Sequence, residues 1–327
     1  MSILILGARS DSHVRSVVER LERRQLQFLL LDHEDPCDFS CRFESDGSHV
    51  LTIGEKPIDP HSVWCRLKID VVFGRWNEAS SRDFVARSEW RALLNGVASL
   101  YRDRSVQKRD VVWRMELKPV QFELAGRSGF TLPRSAFFTG RAQAQGFLRA
   151  QADTIGKTIK TKYRPRPEGE GAPLRLMSFD VTSDVVDAAE DAEFTSAPLF
   201  FQARLREGEE YRVLGFPGRT FAYRVLGELK NRDRPDERHE FGHRYVSEPA
   251  PSDLHDKVQA FLSASELGYA AFDLVHTAEG WVFLECNPEG QWSAANGSDL
   301  DEVLDAFIDV HLAPPGRRDR SARPAAV

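Results

Sequence analysis

The stretch Phe283-Leu284-Glu285-Cys286-Asn287-Pro288-Glu289-Gly290-Gln291-Trp292 sets a carboxylate and a carboxamide two residues apart. On a β-strand such side chains point to the same face, so Glu285 and Asn287 share one side of the predicted strand. Asp273 lies twelve residues before Glu285, and His276-Thr277-Ala278-Glu279-Gly280 between them is typical of a hairpin connection. The segment therefore predicts two antiparallel strands.

The length of the turn decides whether Asp273 and Glu285 meet. A three-residue loop, Ala278-Glu279-Gly280, with its glycine in the left-handed conformation pairs Thr277 with Trp281. Counting back along both strands from that pair places Asp273 opposite Glu285. A two-residue turn would put the two carboxylates on opposite faces. We expect the three-residue loop.

Asp273, Glu285 and Asn287 would bring three oxygen ligands to one face of this hairpin, and no Lys or Arg occurs in the segment to neutralise them. Such ligands suit a hard cation, and Mg²⁺ takes one or two carboxylates together with water and nucleotide phosphates. The alternative is a solvated edge hairpin with ordinary acidic residues. Trp281 and Phe283, expected on the same face as Glu285, argue against that alternative. The pattern favours a Mg²⁺ site.

The order of these residues resembles a known family. Asp273, then Glu285-Cys286-Asn287-Pro288, then Gly290-Gln291-Trp292 is similar to the C-terminal signature of ATP-grasp enzymes. The Asn-Pro-x-Gly-Gln-Trp ending is most like that of the microviridin-type peptide ligases, the graspetide synthetases. In that family the acidic and amide positions hold magnesium against ATP, and the resemblance implies this role for Asp273, Glu285 and Asn287. Cys286 stands where the family usually has an aliphatic residue, and we expect it to point away from the ligands.

Composition excludes several other classes of protein. The 327 residues are 41% hydrophobic and 29% charged, as in an ordinary globular protein of two or three domains. The net charge of −6 gives no general reason to expect a nucleic-acid partner. We find no apolar run of membrane-spanning length and no signal peptide, and the four cysteines are too scattered for a disulfide framework. A cytoplasmic protein without membrane or nucleic-acid partners is expected.

The resemblance also implies the domain organisation. The fold class is α/β: an ATP-grasp fold with an N-terminal α/β pre-grasp domain, a central α+β subdomain and a C-terminal antiparallel-sheet subdomain. We expect these domains at residues 1–110, 111–195 and 196–313, followed by a disordered tail at 314–327 that has no apolar face. The opening βαβ pattern, with Asp11 or Ser12 capping the helix, agrees with the first domain.

Two lysines are expected to bind the nucleotide. Lys118, in Leu117-Lys118-Pro119-Val120-Gln121, matches the first nucleotide-binding lysine of the ATP-grasp pattern, although a solvated lysine at a helix start is the common alternative. The second lysine should come from a strand within residues 155–163. Lys160 is preferred there over Lys157 and Lys162, and a slip of two residues would leave Lys162 on the same face.

The remaining site residues also come from the resemblance. Gln202 matches the hinge strand that receives adenine, although Ala203 replaces the acidic residue that often follows. Glu210-Tyr211-Arg212 is similar to the family's acidic-x-Arg motif, so Glu210 would lie in the nucleotide site and Arg212 would face the phosphates or the acceptor. A surface salt bridge is the alternative for Arg212. Two further catalytic candidates lie where the family has Asp-Trp-Arg: Arg232, which is favoured, and Arg234.

The function implied is an ATP-dependent peptide ligase with Mg²⁺. It would activate Glu or Asp side chains of a ribosomal precursor peptide as acyl phosphates and close ω-ester or ω-amide crosslinks. Its partner would be a precursor peptide with a leader and a Glu/Asp-containing core, and relatives suggest a homodimer. The alternatives are a carboxylate–amine ligase that adds an amino acid to a protein or small acid, and an inactive ATP-grasp scaffold that binds a peptide.

Overall fold

The structure, a computed structural model, describes residues 2–35, 38–67, 78–151, 153–159, 163–164, 174–175, 178–226, 244–292 and 294–314. Three predicted site residues, Lys160, Arg232 and Arg234, lie outside these ranges, as does the predicted tail from residue 315 onward. No described helix combines the length and apolar character needed to cross a membrane.

The N-terminal part contains a parallel sheet and a small antiparallel sheet. Its elements are β1 (Ser2–Gly7), α1 (Ser12–Arg23), β2 (Phe28–Leu31), β3 (Phe39–Phe43), β4 (His49–Ile53), β5 (Lys56–Ile58), β6 (Pro60–Arg66), α2 (Glu78–Leu100) and a 3₁₀ turn (Arg102–Arg104). The parallel sheet has the order β2-β1-β6, and β3-β4-β5 form the antiparallel one. Asp11 caps α1 as expected, accepting hydrogen bonds from the main-chain N–H groups of His13 and Val14.

The central part is a four-stranded sheet covered by helices. Its elements are α3 (Arg109–Met115), α4 (Lys118–Arg127), β7 (Ser135–Phe138), α5 (Arg141–Ala150), β8 (Thr154–Lys157), β9 (Tyr163–Arg164), β10 (Leu174–Arg175), β11 (Phe179–Val181), α6 (Ser183–Ala188), α7 (Asp191–Ser196) and β12 (Leu199–Ala203). The sheet order is β11-β8-β12-β7, with all neighbours antiparallel. Helices α5, α6 and α7 cover one face of it through a shared apolar cluster.

The strand expected within residues 155–163 ends earlier than predicted. β8 stops at Lys157, and Thr158 is not part of it. The reason lies in the neighbouring strands, because Lys157 pairs with Phe200 near the start of β12 and Gly156 pairs with Phe179 at the start of β11. Both ladders therefore end at this point.

The C-terminal part is the predicted antiparallel sheet. Its elements are β13 (Glu209–Phe216), β14 (Arg219–Leu226), β15 (Arg244–Glu248), α8 (Ser252–Ser265), β16 (Ala270–Thr277), β17 (Gly280–Asn287), α9 (Gly297–Phe307) and a π-helical turn (Ile308–Leu312). The strand order is β15-β14-β13-β16-β17, which confirms this part of the expected fold class. Helices α4 and α8 share an apolar cluster with one face of this sheet.

The hairpin of β16 and β17 has a two-residue turn, so the expected three-residue loop is wrong. Thr277 pairs with Gly280, rather than with Trp281, and Gly280 has a positive φ of 106° that suits glycine. Asp273 nevertheless pairs with Glu285, because the register shifts by one residue along the ladder. The predicted pairing of the two carboxylates is therefore correct, although the turn that was expected to produce it is not.

A β-bulge at Leu284 causes this shift. Leu274 pairs with Phe283 while Asp273 pairs with Glu285, so Leu284 has no opposite residue. The bulge reverses the side-chain alternation of β17 at this point. Trp281 and Phe283 consequently lie in the apolar cluster on the α8 side, opposite to Glu285, and the expectation that they share its face is wrong.

The outer edge of β17 shows the same reversal. Before the bulge, Thr131 pairs with this edge: its N–H donates to the carbonyl of Trp281, and its own carbonyl accepts from the N–H of Phe283. After the bulge, the buried carboxamide of Gln121 accepts from the N–H of Cys286 and donates to its carbonyl, at 3.0 and 2.8 Å. Both main-chain groups are thus satisfied by residues outside the sheet.

A second apolar cluster joins the N-terminal sheet to the other face of the C-terminal sheet. Trp292 lies at its centre and is 2% exposed. Its ring stacks on Trp64 of β6 at 6.4 Å between centroids and contacts Phe307 of α9 at 5.0 Å. The tryptophan of the quoted motif is therefore a core residue shared by both ends of the chain.

Ion pairs between the C-terminal end of α1 and the segment of α9 and its π-helical turn support the same junction. Arg20 and Arg24 contact Asp305, and Arg24 also pairs with Asp309. Burial raises the pKa of Asp305, but the hydrogen bond and charge of Arg20 and the charge of Arg24 outweigh it and hold that pKa below the usual 3.8. Because the folded-state pKa is depressed, this stabilisation is present above the unfolded-state pKa and is lost as the pH falls.

The variant Asp305→Asn should therefore unfold more easily at neutral pH by about 1 kcal/mol, a value discounted for solvent screening. At about pH 3 the difference from wild type should shrink, because protonation then weakens the wild-type pair as well. Urea unfolding at both pH values measures this, with the exposed Glu302→Gln on the same helix as control. An equal difference at both pH values would contradict the assignment.

Candidate active site

Asp273, Glu285 and Asn287 lie on one face of the C-terminal sheet, as the sequence predicts. Asp273 and Glu285 are directly opposite each other, and Asn287 pairs with Ala271, one step further along the same face. The Asn287 side-chain N–H donates to Glu285 Oε1 at 2.9 Å, so the amide and the carboxylate are in contact. Cys286 is buried on the opposite face, which confirms its expected orientation.

Two cations from outside the hairpin neutralise the two carboxylates. Lys118 Nζ lies 3.1 Å from Glu285 Oε2, and Arg212 Nη1 donates to Asp273 Oδ1 at 2.8 Å. The side chains of Lys118 and Arg212 are only 17% and 14% exposed. Lys118 is therefore not the solvated lysine of the alternative interpretation. The salt bridge of Arg212 is likewise largely shielded from solvent rather than on the surface. The first turn of α4 and strand β13 bring them to the site.

The electrostatics keep Glu285 and Arg212 charged. Burial raises the pKa of Glu285, but the charge of Lys118 and the hydrogen bond from Asn287 outweigh it and lower the pKa to about 2. Burial lowers the pKa of Arg212, yet the charge and hydrogen bond of Asp273 raise it overall. Glu285 therefore stays an anion and Arg212 a cation at neutral pH.

The donor atoms of this face fit a magnesium ion. Asp273 and Glu285 supply ionised carboxylate oxygens, and Asn287 can add its amide oxygen because its N–H₂ group already faces Glu285. Among the described residues, no three His, Cys, Asp or Glu side chains are grouped so as to hold a metal, so a site here would combine the two carboxylates with the amide, water or phosphate oxygens. An all-oxygen set of this kind suits Mg²⁺ rather than Zn²⁺.

The turn after Asn287 closes over the same face. The Gly290 N–H donates to the Asn287 carbonyl at 3.0 Å, and Arg212 Nη2 donates to the Gln291 carbonyl at 3.2 Å. A Cβ at Gly290 would lie 2.3 Å from the Cβ of Ala271 and 3.1 Å from Arg212 Nη2. Glycine is required because the turn approaches the sheet and the guanidinium this closely.

The central sheet contributes a lysine that the sequence considers but does not prefer. Lys157 Nζ donates to Gln202 Oε1 at 2.7 Å, and Gln202 Nε2 donates to Ser135 Oγ at 3.1 Å. The charge of Lys157 also lowers the pKa of Glu285, so this lysine lies near the sheet face that carries the two carboxylates. Gln202 is 1% exposed, and its side chain holds the lysine in place.

Other expected and unexpected residues lie around this face. Glu210 pairs with Val275, one step along the strand face from Arg212, so it borders the site. Gln121, which the sequence does not single out, supports β17 through the main chain of Cys286. A polar side chain between apolar residues of the predicted α4 is the only signal that could have indicated it.

The arrangement of sheets and site defines the ATP-grasp fold, which confirms the expected fold class. The chain is similar to a RiPP-associated ATP-grasp ligase from Chryseobacterium gregarium, solved in complex with ADP and a leader and core peptide. That match has 20% identity and a TM-score of 0.76, covering 96% of this chain and 97% of that chain. The sequence matches no protein-family model and no curated protein.

Two macrocyclases from Microcystis aeruginosa MRC are also similar. MdnC, bound with precursor peptide MdnA, is 15% identical with a TM-score of 0.70, over 90% of this chain and 93% of that chain. MdnB is 22% identical with a TM-score of 0.69, over 96% and 99%. At such identities the likeness establishes the fold, and the activity has to be argued from the site.

Proposed function

We propose that this protein is an ATP-dependent peptide ligase that crosslinks a ribosomal precursor peptide through its Glu or Asp side chains. The observation that carries the proposal is the ion cluster of Asp273, Glu285, Lys118 and Arg212 on one sheet face. A fold similar to that of ligases solved with ADP and with leader, core or precursor peptides supports the peptide substrate.

The nucleotide would lie between the metal face and the central sheet. Lys118 and Lys157 are the phosphate-binding lysines in this proposal, with Lys157 favoured over Lys160 because it lies near Glu285. Gln202 keeps Lys157 extended, and main-chain groups after Gln202 would meet adenine. Magnesium held by Asp273, Glu285 and Asn287 would neutralise phosphate charge.

The chemistry has two balanced steps. A carboxylate oxygen of the peptide attacks the γ-phosphorus of ATP, the bond to the bridging oxygen breaks, and ADP leaves. A Ser or Thr hydroxyl or a Lys amine then attacks the acyl carbonyl, loses its proton, and phosphate leaves. Arg212 would orient the acceptor carboxylate and the transferring phosphoryl group through its planar fork. Arg232 and Arg234 remain predicted contributors to the same steps.

The proposal includes the expected surroundings of the enzyme. We place it in the cytoplasm as a homodimer, with a leader-bearing precursor peptide as partner and no nucleic acid. The family resemblance supports the dimer, and light scattering of the purified protein tests it. The charge cluster argues against the inactive scaffold, because partly buried carboxylates paired with cations are typical of functional sites.

Co-expression with candidate precursor peptides tests the function. Mass spectrometry should show losses of water from the peptide in whole units, one for each ring, and none with an Asp273→Asn enzyme. A gain in acceptor mass would instead identify the carboxylate–amine ligase. An unchanged mass for every candidate peptide, with no ATP turnover, would contradict the proposal.

A further inference from the structure

The motif turn after Asn287 is held by residues from the N-terminal part of the chain. Gln107 Nε2 donates to the Pro288 carbonyl, and Arg66 Nη1 donates to the Glu289 carbonyl at 3.1 Å. The Trp292 N–H donates to His13 Nε2 at 2.8 Å. His13, Arg66 and Gln107, here called the cradle, are all buried. Their hydrogen bonds go to main-chain atoms of the turn, and the His13 ring also contacts the ring of Trp292.

The cradle residues are themselves held by hydrogen bonds to residues outside the turn. Asp11 accepts from Arg66 Nε at 3.1 and 3.2 Å and caps the helix that carries His13. Burial raises the pKa of Asp11, but the hydrogen bond from His13 and the charge of Arg66 outweigh it and hold that pKa well below its usual range. Gln107 Oε1 accepts from the Gly268 N–H at 2.9 Å, at the entry to β16.

The position of this turn affects the geometry of the sheet face that carries the candidate metal ligands. It begins at Asn287, and its Gln291 carbonyl accepts from Arg212 Nη2 at 3.2 Å while Arg212 Nη1 holds Asp273. A movement of the turn would therefore shift one candidate ligand and release the guanidinium that pairs with another. Because a ligand's hydrogen-bonding surroundings control its orientation, such a shift weakens metal binding.

We propose that the cradle residues His13, Arg66 and Gln107 are positioning residues of the candidate metal and nucleotide site. The pre-grasp region is then part of the active centre, although it contributes no ligand of its own. The role of the site rests on the proposed function, whereas the positioning of the turn does not. His13 is the best residue at which to test the proposal. Its contact with the turn's main chain is one hydrogen bond, which Nε2 accepts from the Trp292 N–H.

The experiment compares His13→Phe with His13→Gln in the full-length protein. Phenylalanine keeps an aromatic ring against Trp292, whose centroid lies 5.3 Å from that of His13, but removes the acceptor nitrogen and also Nδ1, which lies 3.5 Å from Asp11 Oδ1. Glutamine reaches the position of Nε2 with a carbonyl oxygen and restores the acceptor. His61→Phe is the matched control. His61 of β6 likewise makes a hydrogen bond between distant parts of the chain, to the Leu312 carbonyl, but this bond lies away from the turn.

Hydrogen exchange of the segment 288–295 is the first readout and needs no substrate. In His13→Phe this segment should exchange about tenfold faster, because a buried N–H loses its partner, while His13→Gln and His61→Phe should stay near wild type. The second readout is the Mg²⁺ concentration for half-maximal ADP binding. It should rise about tenfold in His13→Phe, the usual size of an outer-shell effect, and return toward wild type in His13→Gln.

Unchanged exchange and unchanged Mg²⁺ dependence in His13→Phe would overturn the positioning role. An equal effect in His61→Phe would overturn it too, because the change would then reflect general loosening of the domain junction. If His13→Phe does not fold, His13→Asn removes the same acceptor while keeping a polar group near Asp11. Faster exchange in a protein whose wild type modifies no peptide would support the positioning role while contradicting the peptide ligase.

Discussion

Asp273→Asn or Glu285→Gln should lower peptide ligation by at least about 10³-fold, equivalent to about 4 kcal/mol of transition-state stabilisation. Each change removes one negative charge from the metal face without changing side-chain volume. The fold should persist, because the amide oxygen of either variant can still accept the hydrogen bond that Lys118 or Arg212 now donates to the carboxylate. Single-turnover ligation by mass spectrometry measures the loss, and thermal unfolding verifies the fold.

The matched control for these variants is Glu279→Gln in the turn of the same hairpin. Glu279 is exposed at the tip, away from Lys118 and Arg212, so its loss of charge should leave ligation near wild type. Ligation retained by Asp273→Asn or by Glu285→Gln would remove that residue from the site. Ligation lost in all three variants would indicate that the hairpin responds to net charge rather than to a bound ion.

Arg212→Lys should lower ligation by at least about 100-fold while changing nucleotide affinity much less. Arg212 binds Asp273 Oδ1 through one nitrogen and the Gln291 carbonyl through another, 2.8 and 3.2 Å away. A lysine keeps the charge but cannot hold both partners in one plane. Ligation rates and ADP binding by calorimetry, measured with Mg²⁺ on the same preparation, separate the two effects.

Arg224→Lys provides the comparison for this variant. Arg224 lies on the adjacent strand β14, where its Nε donates to Glu248 Oε1 at 2.6 Å on the opposite face of the sheet. The same substitution there should have little effect on ligation. If Arg212→Lys ligates at the wild-type rate, a point charge is sufficient and the guanidinium has no orienting role. If the Arg224 variant falls equally, the sheet rather than the site is disturbed.

The sequence predicts the pairing of Asp273 with Glu285 correctly but for an incorrect reason. A regular alternation places Trp281, Phe283 and Glu285 on one face, and a three-residue turn then aligns the carboxylates. In the structure the turn is shorter and Leu284 bulges out. The bulge is matched by contacts at the outer edge of β17. Thr131 binds main-chain groups of Trp281 and Phe283 before the bulge, and Gln121 binds those of Cys286 after it. Contacts so distant in sequence leave no local pattern.

The position of Lys157 near Glu285 could not be predicted from the sequence for a similar reason. Lys157 and Lys160 are three residues apart in the sequence, and the end of β8 is set by the first residues of β11 and β12. Local propensity contains no information about where those partners start. The cradle is equally hidden, because His13 and Trp292 are 279 residues apart. The position of Lys118 and Arg212 beside the two carboxylates agrees with the motifs, whose residues are close together in the sequence, and the roles of both stay predictions.

The bulge at Leu284 has a consequence for comparing this chain with its relatives. Residues 281, 283, 285 and 287 would all face the same way on a regular strand, yet the first two enter the apolar cluster, whereas Glu285 meets Lys118 and Asn287 contacts Glu285. A relative with one residue fewer between its aromatic pair and its glutamate would present identical faces without any irregularity. A gap placed opposite Leu284 therefore aligns equivalent side chains, whereas an ungapped alignment would match core positions to ligand positions.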